Sequence, residues 1–529
     1  MYDIIIKNGT VIDGTGERMF RADVGVKEGL VAAIGDLHHD AATQTIDATD
    51  QYVAPGFVDV NNHSDTYWQI FSNPHLESLI YQGITTVVGG NCGSSLAPLV
   101  NASMLQSIQK WVDIRKINLN WLTTKEFLDQ VEHSGLSVNF ATLAGHGTMR
   151  RGLVNDESRP LSSDELASLR SMLKRSMKEG SFGCSLGLEY THARYASSNE
   201  LQVLGELIES EKGVYTVHLR DESAHLLESL EEALQLARTT GCGLHISHLK
   251  AAGKEHWHLM EKALYLIESA QTSGIDVTFD VYPYIVTGTV LYTLLPEWVT
   301  EGGKRMMLQR LKDPEIQQEI VVELREKKLD YSKIVVLTSP LNKILMHQSI
   351  AAIAKNQNTT PEEALLYVLI ASGGRAIVSM EVVSEENIEK AIQHPFSIIS
   401  TNGSGYSTDY EKTGERVHPR SFGTFPLVLS RYVNEKKLLS WEEAIHKMSG
   451  KPAQKFGLKN RGVLRKGNYA DIVVFHPSHI EALATSENPY QYARGMDWVL
   501  VNGEVVIHKG AYLGKRVGEV LYKESSSWF

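Results

Sequence analysis

Eight near-continuous apolar runs, separated by helical patterns, constrain this 529-residue chain more than any other feature. They read YVAPGFVDVNNH, ITTVVGGN, VNFATLAGH, GCSLGLEY, YTVHLRDE, LHISHLK, VTFDVYPY and FSIISTNG. A strand that is apolar along its whole length belongs to a sheet covered on both faces, and such sheets are parallel. The intervening segments, such as SSDELASLRSMLKRSMKEG and LLESLEEALQLARTTG, space their apolar residues as amphipathic helices do. Eight βα units predict an α/β fold of the closed (β/α)8 TIM-type barrel, with functional residues at the carboxyl ends of the strands. Both chain ends are instead short strands with glycine turns, so residues 1–54 and 464–529 are expected to build one small β-sandwich domain around a barrel at 55–463. The stretch around 290–395 is too long for one loop and predicts a helical insertion covering the barrel mouth.

The run ends carry the chemistry. Cys92 lies among Gly89, Gly90 and Gly93, while His218 and His248 close the fifth and sixth runs. One thiolate and two imidazoles are suitable ligands for a catalytic zinc with an open fourth position. Taken singly, each has a plainer reading as a buried small residue or a hydrogen-bonded histidine, which is how Cys184 and Cys242 read. At the first run end Asp59, Asn61, His63 and Asp65 alternate, so in an extended chain they share a face. Lys250 stands two residues past His248 and Arg420 follows His418-Pro419. Either cation suits a substrate carboxylate, and the arginine fork suits it bidentately.

Bulk properties narrow the partners. A net charge of -11 disfavours nucleic acid and anionic membranes. No apolar run reaches the roughly 18–20 residues that a bilayer crossing needs. The first residues show no signal-peptide pattern, and three cysteines give no disulfide framework, which fits a reducing cytoplasm. Oligomeric state is not readable.

Taken together, APGFVDVNNHSD, QGITTVVGGNCGSSLAP, GCSLGLEYTHARYA, VHLRDE, ISHLK, DVYPY and HPRSFGTFPLVL resemble the N-acyl-D-amino-acid deacylases of the amidohydrolase superfamily. The resemblance runs nearly end to end. It implies a hydrolase of C–N bonds other than peptide bonds, acting on a small N-acyl amino acid or related carboxylate. It also implies tight zinc ligation by Cys92, His218 and His248, and a weaker second site that uses His63. Tyr190, Lys250, Tyr282 and Arg420 match the groups that receive the substrate's carboxylate and surround its amide. His146 matches a family motif without an assigned role.

Two positions depart from the family. Asn61 replaces a ligand histidine, and Asn402, in Thr401-Asn402-Gly403, replaces the strand-eight aspartate that serves as general acid/base. An amide has no usable pKa for that task. Two divalent ions about 3.5–4 Å apart repel by on the order of 15–20 kcal/mol at an effective dielectric near 20. With an anionic ligand missing, one tightly bound zinc is expected. Several readings of the asparagines stay open. They are engineered, or another base (His63, Asp65 or Asp409) has taken over, or ligand binding persists without catalysis. The bond hydrolysed is otherwise one with a better leaving group, a cyclic amide or an ester. A chemical reading is that Asn402, preceding a glycine, deamidates to aspartate.

Overall fold

The computed structural model describes residues 1–101, 120–155, 157–339 and 341–524. Eight parallel segments close into a barrel: Phe57–Asp59, Ile84–Gly89, Asn139–Thr142 continued by Ala144–Gly145, Gly183–Gly187, Val214–His218, Gly243–Ile246, Val277–Val281 and Ser397–Ile399. Almost every residue in these strands is buried, as two-sided coverage requires. Closure comes where the chain leaves the first and eighth strands. Asn62 bridges Gly403 in parallel, and His63 N donates to Gly403 O at 2.7 Å. Asn61 and Asn402, each one residue before a bridged partner, are thereby brought side by side.

The helices start as their sequences dictate. Ser162 and Glu165 form a capping box at Ser163–Lys178, with Leu169, Leu173 and Met177 buried against the barrel. Thr123 and Glu126 do the same at Thr124–Ser134. Among the described residues no helix is long and apolar enough to cross a membrane.

Strands from both chain ends form two further sheets. One pairs Tyr2–Lys7, Asp23–Lys27, Leu30–Gly35 and Ala42–Asp47. The other joins Tyr52–Pro55 to Ile472–Phe475, Met496–Val501 and Glu504–His508, with three two-residue strands at its edges. Ile4, Ile6, Val24, Val31, Val53, Ile472, Val474 and Leu500 make their common core, so this small β domain is built from both termini around the barrel.

The insertion after the seventh strand differs from the all-helical expectation. Val286–Val290 and Ile334–Thr338 both pair antiparallel with Ile377–Glu381, and helices such as Pro314–Glu326 and Pro361–Ala371 pack on this sheet over Leu324, Val336, Leu365 and Val378. Threonine and glycine in VTGTV hide the strand from an apolar-run reading, and its partner lies some ninety residues away. The sheet faces the barrel mouth. Gly288, Leu337, Thr338 and Ile377 line one cavity together with Asn402 and Arg420.

Candidate metal centre

Cys92, His218 and His248 are buried, and their ligand atoms all lie within 4.8 Å of one another. Each follows from its strand. Cys92 leaves the second strand with φ +51°, where a Cβ on Gly90 or Gly93 would collide with neighbouring backbone. Those glycines let the loop pack closely enough to turn the thiol into the barrel. His218 ends the fifth strand, and His248 stands just past the sixth with φ +38°. Cys92 Sγ is 3.3 Å from His248 Nε2 and 3.9 Å from His63 Nε2. Burial alone would raise the thiol's pKa. The charge of His248 and the imidazoles of His218, His248 and His63 around the sulfur instead hold it well below its ordinary value, which favours a thiolate donor.

Carboxylates aim both imidazoles. His218 Nε2 meets Glu189 Oε2 at 2.8 Å, and His248 Nδ1 meets Glu222 Oε1 at 2.9 Å. Metal-binding histidines are commonly oriented this way. His218 Nδ1, the remaining nitrogen, is buried without a hydrogen-bond partner. A soft sulfur and two imidazole nitrogens, one of them orphaned, fit a zinc-type cation.

Beside this group stand the two asparagines. Asn402, at φ +45°, accepts through Oδ1 from His63 Nε2 at 2.9 Å. Asn61 donates through Nδ2 to Asp280 at 3.2 Å, and its Oδ1 is buried and unpaired. Asp280 also binds His245 Nε2 at 2.9 Å and receives the Ser400 hydroxyl. These partners and nearby histidine charge hold its carboxyl below the usual range although burial opposes them.

On the substrate side, Arg420 opens the helix Arg420–Leu427. It is 6% exposed, its guanidinium lies 5.1 Å over the Tyr282 ring, and its Nε and one terminal nitrogen have no hydrogen-bond partner. Tyr282 donates to Thr287 Oγ1 at 3.1 Å. Lys250 is committed elsewhere: its ammonium bonds Glu222 Oε2 at 2.6 Å and His248 O at 3.0 Å. Of the two cations, only Arg420 presents unused donors. Tyr190 lies against His218, ring centres 5.0 Å apart.

Several sequence expectations meet a different geometry. The first barrel strand ends at Asp59, so the alternation beyond it does not hold one face. Asp59 turns to Thr401 and Asn62, Asn61 to Asp280, and His63 to Asn402, while Asp65 accepts from Gly90 N at 2.7 Å. Burial pushes the Asp65 carboxyl up to about 6, and the carboxyl packs against Gly89 behind the Cys92 loop. Asp409 does not fold back. Its side chain is 75% exposed and pairs with Lys412 at 2.7 Å. His146 binds Glu200 Oε1 at 2.7 Å in a buried group with Arg150. Glu189, Glu222, His245 and Asp280 were not singled out from the sequence. The sequence does place Glu222 four residues after His218 and Glu189 at the fourth run's end, which is a usable signal.

The Amidohydrolase family model matches residues 407–507. A D-aminoacylase of Alcaligenes xylosoxydans xylosoxydans is 30% identical, over 99% of this chain and 98% of its own. A D-aminoacylase structure described for its binuclear metal center, with one-metal activation and second-metal attenuation, is 29% identical with TM-score 0.84, covering 99% of this chain and all of that one. An N-acyl-D-glutamate deacylase from Bordetella bronchiseptica, complexed with zinc and a phosphonate mimic of the tetrahedral intermediate, gives TM-score 0.82 at 29% identity and the same coverage.

Proposed function

Since the chain belongs to the D-aminoacylase family of amidohydrolases, with a relative matched along nearly its full length, we propose that it is a zinc-dependent deacylase. It hydrolyses the C–N amide bond of an N-acyl amino acid or related carboxylate, with one tightly held metal. The observation that carries this reading is the convergence of Cys92, His218 and His248 at the ends of three barrel strands. A bound zinc supplies Lewis-acid polarisation of the scissile carbonyl and activation of water.

The chain's own residues do the rest. Glu189 and Glu222 fix the imidazoles, and Arg420 offers two buried donors to the substrate carboxylate. The insertion's sheet walls the cavity that contains Asn402 and Arg420. The second-metal position keeps only His63 and the shared sulfur, because Asn61 is turned to Asp280 and Asn402 to His63. A neutral amide and a neutral imidazole do not offset the repulsion between two divalent ions, which supports a single metal.

The pairing of His63 Nε2 with Asn402 Oδ1 also favours a second reading. With an amide at 402 that position cannot protonate a leaving amine, so an ester or a cyclic amide would be turned over more readily than an open-chain amide. Metal analysis of the purified chain, run with a panel of N-acyl D- and L-amino acids and matched esters, tests both. One zinc per chain with amide cleavage supports the first reading, and ester cleavage alone supports the second. A chain that retains no metal and cleaves nothing refutes both.

A further inference from the structure

The Asn402 amide is held by its neighbours in a way that hydrogen bonding to a substrate does not require. Its Oδ1 faces His63 Nε2 at 2.9 Å, so that nitrogen carries its hydrogen toward the amide carbonyl. The next residue is Gly403, which has no side chain of its own to hinder its backbone nitrogen. Gly403 N donates to Thr401 Oγ1 at 2.9 Å, and Thr401 Oγ1 donates to Asp59 Oδ2 at 2.5 Å. Asp59 is fully buried, and burial pushes its carboxyl up to about 6. The segment is pinned as well. Gly403 O accepts from His63 N at 2.7 Å, and Thr401 N donates to Asp59 Oδ1 at 2.9 Å. A hydrogen-bond donor thus sits on the amide oxygen, while a hydroxyl–carboxylate relay starts at the one backbone N–H that can attack the amide carbon.

We propose that residue 402 is a self-processing site at which the Asn402 side chain is converted to a carboxylate, supplying the strand-eight aspartate from an asparagine precursor. Gly403 N gives its proton along Thr401 Oγ1 toward Asp59 as it bonds to Asn402 Cγ, while His63 stabilises the charge on Oδ1. The Cγ–Nδ2 bond breaks, Nδ2 takes one proton from solvent and leaves as ammonia, and Asp59 returns the proton it received to solvent, leaving a succinimide across 402 and 403. Water then adds at Cγ and reopens the Gly403 N–Cγ bond. Net, one water is consumed, one ammonia is released, and the side chain ends as an aspartate carboxylate. No oxidant or reductant is involved. The inference rests on the proposed function only for the use of the product, a carboxylate beside His63 and the Cys92 group.

Peptide mass mapping of the full-length chain, kept folded at neutral pH, tests this. The peptide containing residue 402 should gain about one dalton with time. It should do so on the order of tenfold faster than in the same chain unfolded in urea, because the His63 donor and the Thr401–Asp59 relay are in place only in the folded chain. Cleavage should be directed to aspartate, whereas the unfolded chain gives the mixture with iso-aspartate. Thr401→Val should slow conversion to the unfolded rate, and Thr401→Ser should restore it. Should Thr401→Val misfold, the folded-against-unfolded comparison of the unaltered chain decides alone. Asn402 persisting in the folded chain while the unfolded chain converts would overturn the proposal. Mass is read without turnover, so the two readings fail separately. A converted chain that cleaves nothing counts against the deacylase, and amide hydrolysis with intact Asn402 counts against self-processing.

Discussion

Arg420→Met separates a substrate anchor from a structural arginine. In the free protein the guanidinium is buried with two nitrogens unpaired. An unsatisfied buried donor costs about 1–3 kcal/mol, and a cation over an aromatic face returns about 0.5–2 kcal/mol. Methionine keeps the stem's packing, removes both orphans and forfeits only the contact with Tyr282. The variant should therefore be more stable than the parent by about 1–3 kcal/mol, read from urea unfolding. Binding moves the other way. Two charge-assisted hydrogen bonds to a carboxylate contribute about 1.5–3 kcal/mol each, so kcat/KM for an N-acyl amino acid should fall by roughly 10²–10⁴. The matched methyl ester at the carboxylate offers no such partner, and its kcat/KM should change little. A variant that loses stability while keeping its KM for the free acid would refute the assignment, since the arginine would then be serving the fold.

The other expectations can be checked with the same protein. Cys92→Ala removes the only anionic ligand among the three, and zinc per chain after dialysis should drop from one to near zero; a metal-replete variant would place the ion elsewhere. Glu222→Gln keeps the shape behind His248 but loses the charge shared with Lys250; competitive chelation should show zinc affinity lower by about 10–100-fold. Glu200→Ala removes the carboxylate that buried Arg150 and His146 share, and denaturant unfolding should register a loss of about 3–5 kcal/mol. Asn402→Asp with Asn61→His rebuilds the second position, so metal content should rise toward two and amide hydrolysis should increase; unchanged content and rates would mean the asparagines are not what limits either.

The barrel was legible because physics leaves a two-sided parallel sheet little freedom: GCSLG and YTVH are buried at every position, and their ends face the mouth. Cys92, His218 and His248 were legible for the same reason, as reactive groups at the ends of runs that bury everything else. Their carboxylate partners were harder to find. Glu189 and Glu222 are two among 63 acidic residues, and only the folded register brings them behind the imidazoles. Side-chain direction past Asp59 was misjudged because the strand stops there, after which His63 is aimed by its backbone bond to Gly403. The insertion's sheet was missed because VTGTV carries threonine and glycine and pairs with a strand some ninety residues further on.

The backbone shows how unequal the altered and retained positions are. Cys92, His248 and Asn402 all occupy the left-handed region, at φ +51°, +38° and +45°. For cysteine and histidine such a conformation costs on the order of 1–3 kcal/mol and persists only where the surroundings over-determine it. Asparagine and aspartate both enter this region readily, since their short polar side chains bond locally. An Asp-to-Asn exchange at 402 therefore leaves the local fold undisturbed and removes only charge, whereas moving Cys92 or His248 off its position would release strain. A chain that had abandoned metal chemistry would gain stability by relaxing those two residues. This chain keeps both strained, with Glu222 held on His248, so the three-ligand centre remains built to hold an ion.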